Sequence, residues 1–440
     1  MRPIQWVPWL SILSTIWKIM ESLYQTGTPF RLDLFRCRSL RDVTEAISIV
    51  LEQYSEIFPA SKDARILIKP NLNSNMNALT GNTTDLRLLS ALVQGLKKRG
   101  YQNIVIGEGT NSGFYRSKIG VISRLRVDSL ARYYGIELKD LNYSEGREIS
   151  FAGGVKARVA RECLEADLFI NVPKLKTHFE VGMSVCLKNL MGCLVGQENK
   201  KKTHQSLAEN ILHLNSNIKP HLHIVDGIIA MDGLGPTRGK PKNMGLIVVG
   251  TDPFLIDMVC ARIAQFGYRS VTTLKLAEDK GLITKDYHDF LGSLDISSFI
   301  SRFEEPKANP LASFIHSPKR QKYFLAVRNT RLFSFLASTR FFGYLLFLSG
   351  LRQDNFITDD MVCDGLSFDA SLCRAGCTKC SDYCPMGLTL PEQIKEQGSP
   401  CINCLYCFLV CPTKAIGFKG NLGFMADQLR QYDKITREVA

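Results

Sequence analysis

From about Ser61 the chain falls into short apolar runs, each ending in polar residues, separated by stretches with helical spacing. RILIKPNL (65–72), YQNIVIGEGT (101–110), ADLFINVPKLKTH (166–178) and HLHIVDGI (221–228) predict buried strands, because such runs are too short for a helix and rich in β-branched residues. LRLLSALVQGLKKRG (86–100) predicts a helix stopped by glycine, and MGLIVVGTDPFLIDMVCARIAQF (244–266) predicts a strand that turns into a helix. Strands alternating with helices predict an α/β domain over 61–300, a mostly parallel sheet with flanking helices. Ligands in such a domain gather at the carboxyl ends of the strands, where the polar residues lie.

The flanks have different patterns. Trp9, Ile12, Ile16, Met20 and Leu23 fall at helical spacing, so 1–60 reads as an N-terminal helical segment. Its first 25 residues are too short and interrupted to span a bilayer and lack the features of a signal peptide. They suit a helix packed on the body or an interfacial helix. Residues 301–360 read as a basic, aromatic helical linker; within it, 317–352 mixes aromatics and leucines with Lys and Arg, and Arg331, Arg340 and Arg352 break every apolar stretch below bilayer length. Such a segment suits an anionic membrane surface, a partner groove or a helical cover over the body. After a cysteine-rich region at 361–420, the tail 421–440 reads as a terminal helix.

At 440 residues the chain has room for two or three domains and ample apolar content for a core. The formal charge of +13 favours anionic partners of several kinds and does not choose among them. Basic residues are not arrayed as a nucleic-acid module, which disfavours nucleic acid. Cys37, Cys163, Cys186, Cys193, Cys260 and Cys363 are scattered without pairing logic, as in a reducing compartment, so the expected location is cytoplasmic, either free or peripheral at the inner face of the membrane.

The remaining cysteines form two runs, Cys373, Cys377, Cys380, Cys384-Pro385 and Cys401, Cys404, Cys407, Cys411-Pro412. The second has the bacterial ferredoxin spacing, in which the fourth cysteine of each run serves the other cluster. That predicts one 4Fe-4S cluster on Cys373, Cys377, Cys380 and Cys411 and another on Cys401, Cys404, Cys407 and Cys384. A zinc site gives no reason for the Cys-Pro endings, and disulfides would need an oxidising compartment. One irregularity stands out: Arg374-Ala375-Gly376 is one residue longer than the usual gap, so Cys363 is an alternative ligand to Cys373.

Polar residues collect at the predicted strand ends. Lys174, Lys176, His178, Lys188 and Asn189 lie within NVPKLKTHFEVGMSVCLKNLMG (171–192), a donor-rich setting for a phosphate or carboxylate, with a following helix whose first N–H groups would assist. Asp226 follows an apolar strand and precedes the loop Gly233, Gly235, Pro236, Gly239, whose spacing is neither a dinucleotide fingerprint nor a Walker loop. Asp252 is placed to cap a helix that also carries Asp257, and Lys69, Asn71 and Glu108 complete the set.

These segments in this order, LIKPNL, GEG, NVPKLKTH with LKNLMG, IVDGIIAMDGLGPTRGKP and TDPFLIDMV, resemble the domain of unknown function 362 family over about 61–265. The family often carries a ferredoxin-type module, and the resemblance implies one α/β domain with a shared site, without supplying a reaction. The expectation is an iron–sulfur oxidoreductase, with a small α+β ferredoxin-like domain passing electrons to an anionic substrate. His178, Lys174, Lys176 and Asp226 would be catalytic, with Lys69, Asn71, Glu108, Lys188, Asn189, Gly235, Asp252 and Asp257 binding the substrate or cofactor. The alternative is a non-catalytic electron carrier or assembly subunit docked to a redox partner protein or a membrane.

Overall fold

The computed structural model describes residues 20–22, 30–116, 118–306, 327, 330–349, 357–394 and 399–440. The expected helix over the first 25 residues lies largely outside them. A ten-stranded sheet forms the centre of the fold. Its strands are β1 (Met20–Ser22), β2 (Leu32–Arg36), β3 (Ile66–Pro70), β4 (Ile104–Glu108), β5 (Glu137–Asp140), β8 (Leu168–Val172), β9 (Lys174–His178), β10 (Gly182–Ser184), β11 (Leu222–Asp232) and β12 (Lys240–Gly250), while β6 (Gly146–Ser150) and β7 (Lys156–Ala160) form a separate hairpin. The order is β1-β2-β12-β11-β8-β3-β4-β5, with β9 beside β11 and β10 beside β9. Pairing is parallel from β11 through β5 and between β9 and β11. It is antiparallel from β1 to β11 and between β9 and β10. The protein is therefore α/β around a mostly parallel sheet.

Two strands correct the expectation for 1–60. Met20–Ser22 pairs with β2, and Leu32–Arg36 joins the sheet beside β12. The run LDLFR is five residues long and almost wholly buried, so it shows no alternation that would have marked it as a strand. The helical part of this segment starts at a capping box, Ser39 with Asp42, and runs over Leu40–Gln53.

Alternate residues along the strands feed two cores. Phe35, Ile66, Ile68, Leu168, Ile170 and Ile224 pack on one face, and Leu34, Leu67, Phe169, Val225 and Val248 on the other, as the two-residue period of a strand requires. The first core also contains the helix Leu86–Lys98, whose apolar positions 86, 89, 92, 93 and 96 make one stripe, and Gly100, at φ 92, follows its end.

The cysteine-rich region comprises a two-stranded antiparallel sheet, β13 (Val362–Phe368) with β14 (Ile416–Asn421), and short helices Lys379–Asp382 and Tyr406–Val410. Tyr383, Leu405, Tyr406, Leu409 and Val410 belong to the first core of the body. The tail forms the expected helix, Met425–Val439, and fastens the region down: the Asn77 backbone N–H donates to Gln428 at 3.1 Å and the Tyr432 hydroxyl to the Gly239 carbonyl at 3.0 Å.

Candidate functional site

The ends of β3, β4 and β9 and the short helix Cys186–Asn189 bring Lys69, Asn71, Glu108, Lys176 and Asn189 into one buried network. Lys69 donates to Glu108 Oε2 at 3.0 Å and to the Pro70 carbonyl. Glu108 also accepts the Leu72 and Gly109 N–H groups, so the carboxylate is held by both neighbouring strand ends. Lys176 donates to Asn71 Oδ1, Asn73 Oδ1 and the Asn82 carbonyl at 2.7–2.8 Å, three acceptors for the three protons of an ammonium. Asn71 donates onward to Asn189, and Asn189 to Asn171, at 2.8 and 2.7 Å. Gly192 presses against the ion pair: a Cβ there would lie 1.9 Å from Glu108 Oε1 and 2.8 Å from Lys69 Nζ.

Several members were not singled out from the sequence. Asn73 and Asn82 bind Lys176, and Lys200 reaches the same strand end, donating to the Thr110 carbonyl and to Asn142 Oδ1. Burial lowers the Lys200 pKa to about 8 despite the nearby carboxylates of Glu108 and Asp140. The asparagine-rich stretch PNLNSNMN (70–77) was the available signal.

Lys174 and Asp226 belong to a second constellation. They form a fully buried ion pair at 2.9 Å, and Asp226 Oδ2 accepts the Asp85 backbone N–H at 2.6 Å. Asp85 pairs in turn with Arg87 at 2.8 Å, also fully buried, and the Arg87 guanidinium lies 4.0 Å from the centre of the Tyr383 ring. The Leu86 backbone N–H donates to the Tyr406 hydroxyl at 3.4 Å. A continuous polar chain thus runs from the cysteine region to Lys174, on which Arg87 and Lys174 balance Asp85 and Asp226.

His178, buried, and Lys188, half-buried, complete the set. His178 Nδ1 accepts the Glu180 N–H at 3.1 Å, which leaves the ring proton on Nε2, and the ring stacks on Phe179. Burial, then the charges of Lys188 and Lys176, hold its pKa well below the usual histidine range. Lys188 is half-buried; burial and Lys69 lower its pKa while Glu180 opposes them. The helix start expected to offer free N–H groups is taken: Asp257 accepts the Cys186 and Leu187 N–H groups at 2.8 and 3.3 Å. Burial raises that carboxyl to about 7 against these two donors. Asp252 caps the helix Pro253–Ile263 and accepts the Tyr287 hydroxyl. Gly235 packs on β9, where a Cβ would lie 1.9 Å from the Thr177 carbonyl oxygen. Asp252, Asp257 and Gly235 position backbone around the network.

A pH effect follows from His223, which accepts a hydrogen bond from Asn171 on the edge of this network. Burial lowers its pKa to about 3, below the unfolded value, so between about pH 3 and 6.5 the unfolded chain binds a proton that the folded one does not. Stability from this group is therefore present above that window and lost as pH falls through it, by about 1.4 kcal/mol per pH unit. In urea unfolding, the stability difference between the native protein and His223→Gln is expected to change by about that amount between about pH 5 and pH 6, the native protein losing more as pH falls.

The two cysteine runs meet: Cys384 and Cys407, one from each run, lie in one buried cluster with Cys380 packed against it. Burial raises the Cys404 thiol first, followed by the charges of Cys407, Cys384 and Cys401. Cys407 is raised by burial, then Cys384 and Cys401, whereas Cys380 is raised by burial, then Cys377, with Cys411 contributing. Neighbouring backbone N–H groups oppose the burial that raises the Cys384 thiol and lower the Cys411 thiol, and Cys411 Sγ lies 3.8 Å from the Thr413 hydroxyl. Among the described residues no three His, Cys, Asp or Glu side chains converge closely enough for a single metal ion. A cubane spreads its four thiolates more widely, and N–H donors aimed at sulfur are the setting that tunes such clusters, so the donor set suits that group better than one ion. Cys363, on β13, is within electrostatic reach of Cys401, a member of the other run from the one it was expected to complete.

Residues 66–262 match the family described as "Domain of unknown function (DUF362)". The matched region contains every strand-end residue of both constellations from Lys69 to Asp257. Over 231 residues the chain is 29% identical to "Thylakoid-associated protein sll1697" of Synechocystis sp., a match covering 50% of this chain and 68% of that protein. A solved structure, the lactate racemase apoprotein from Thermoanaerobacterium thermosaccharolyticum, aligns with TM-score 0.32 and 14% identity. That alignment covers 52% of this chain and 56% of the racemase chain, and carries neither fold nor activity across.

Proposed function

We propose that the protein is an iron–sulfur oxidoreductase in which a ferredoxin-like region exchanges electrons with an anionic substrate or cofactor at the DUF362 strand ends. The observation that carries this reading is the meeting of the two cysteine runs in one small cluster, where buried Cys384 and Cys407, one from each run, lie together with Cys380 packed against them. Cys373, Cys377, Cys380 and Cys411 would hold one 4Fe-4S cluster and Cys401, Cys404, Cys407 and Cys384 the other. Such a cluster, when bound, supplies a one-electron carrier.

The chain's own residues divide the remaining work. Lys188, the half-buried member, receives the anionic group by charge, with buried His178 donating from Nε2. Neutral His178 is suited to holding a proton at that atom beside the substrate. Lys69, Asn71, Glu108, Lys176 and Asn189 fix the floor beneath it, while Lys174 and Asp226, mutually neutralised and enclosed, keep the cysteine region in register with the body. A redox partner protein would meet the cysteine region, where Cys373 and Cys401 are exposed. The thylakoid-associated relative supports a place at a membrane face on the cytoplasmic side, and no helix among the described residues is long and apolar enough to cross one.

The enclosure of Lys174 and Asp226 favours a second reading, a non-catalytic electron carrier or assembly subunit whose DUF362 region is a scaffold. Anaerobic purification with iron, sulfide and small-molecule analysis separates the two. The expected result is about eight iron and eight sulfide per chain, together with a co-purifying anion that Lys188→Met loses. Iron and sulfide without any anion leaves the carrier; zinc, or no metal after anaerobic reconstitution, overturns both.

A further inference from the structure

We propose that the helix pair Arg331–Ser338 and Arg340–Leu348 is a docking surface for an anionic lipid bilayer, on which the protein lies without crossing. The inference does not depend on iron in the cysteine region. The first helix presents Leu332, Phe335 and Leu336 to solvent, and the second Phe341, Tyr344 and Leu345. Each set has i, i+3, i+4 spacing, so each is one continuous stripe along its helix. A stripe of this kind normally faces a core. Here Leu332 is 69% exposed, Phe341 76% and Tyr344 50%, and six of the thirteen exposed large hydrophobics among the described residues fall on these two short helices. Phe333 and Phe342 meet edge to face, at 6.1 Å between ring centres, and join the helices to each other.

Charge selects the occupant. Between Glu305 and Asp354 there is no acidic residue, whereas eight Lys and Arg occur, among them exposed Arg331 at the start of the first helix. A stretch of sequence with positive charge and no acidic residue, with exposed Arg331 beside the apolar stripe, complements an anionic headgroup layer with acyl chains beneath it, where aromatic rings and leucines enter the boundary and Arg331 stays at the phosphates. A groove in a partner protein would need acidic residues around an apolar floor; a second copy would bring this positive charge against itself. Both helices, at eight and nine residues, are shorter than a bilayer requires, so the pair lies in the interface plane.

The test is co-flotation of the full anaerobically purified chain with vesicles of phosphatidylcholine, alone or with about one third phosphatidylglycerol, at low and high salt. The expected result is binding to the anionic vesicles, at least about tenfold weaker on neutral vesicles and weakened by salt. Leu332→Ser/Phe341→Ser should weaken binding at least about tenfold with the unfolding midpoint unchanged, since both side chains are exposed. Arg331→Gln should reduce the preference for anionic vesicles. Absence of vesicle binding, equal binding to both vesicle types, or native binding by the double variant overturns the proposal. So does a self-associated form that the double variant abolishes, which would assign the face to a second copy.

Discussion

Arg87→Met is expected to lower the unfolding free energy by about 3–5 kcal/mol, the largest stability effect of any single change at the junction between the cysteine region and the body. Arg87 and Asp85 are wholly enclosed, so neither charge regains water when the other is removed. Asp85 shows the strength of the coupling: burial pushes its pKa up, yet Arg87 and Lys174 together bring it below the usual value. Its contribution to stability is therefore present above the unfolded carboxylate value of about 3.8 and lost as pH falls below it through the lower folded value. Asp85 also caps the Leu86–Lys98 helix, accepting the Arg87 N–H at 2.8 Å. Asp85→Ser preserves a cap while removing the charge, so its cost isolates the ion pair. The two single variants should each be strongly destabilised, and the double variant by at least about 2 kcal/mol less than their sum, because no charge is then left alone. Urea unfolding of the three proteins measures this cycle. An Arg87→Met cost below about 1 kcal/mol would mean that the guanidinium is not enclosed against Tyr383.

The sheet was legible in outline because five of its segments are apolar runs ending in polar residues. What the runs could not show is which strand lies beside which. Lys174 and Lys176 stand two apart and read as one anion site, but they meet different neighbours: Asp226 is opposite Lys174, while Lys176 is opposite Met231 across a register shift. Lys174 is thereby paired with a carboxylate, and Lys176 is given the asparagines that follow β3. The partner of a buried lysine is a long-range fact, decided here by the register shift of β11 against β9 between Asp226 and Met231. The same holds for Asp257, whose role in closing the start of the Lys188 helix comes from a segment about seventy residues away. By contrast the Asp252 cap was legible, since Asp-Pro before an apolar helical run satisfies a local rule.

The cysteine runs carry a second large expectation, and it concerns which sulfurs act together. If the ligation is crossed, Cys384 belongs with Cys401, Cys404 and Cys407, and Cys384 and Cys407 are packed in the same buried cluster. Cys384→Ala and Cys407→Ala should each retain about half of the iron and sulfide of the native protein after anaerobic reconstitution, because one set remains whole. Combining them should remove no more, since both changes fall on the same set. Cys384→Ala/Cys411→Ala should instead lose nearly all iron, although it also changes only two residues. Uncrossed ligation changes the first double alone: Cys384→Ala/Cys407→Ala would then empty both sets, whereas Cys384→Ala/Cys411→Ala empties both under either scheme and serves as the reference for full loss. Comparing the doubles at equal protein recovery distinguishes a ligand effect from general unfolding, because both remove two largely buried thiols from the same small region. The same assay settles the irregular gap. Cys363 stands near Cys401, so Cys363→Ser is expected to keep the full iron content while Cys373→Ser lowers it by about half. Full iron in Cys373→Ser with half in Cys363→Ser would transfer the ligand role to β13 and make the three-residue gap a loop that no longer reaches iron.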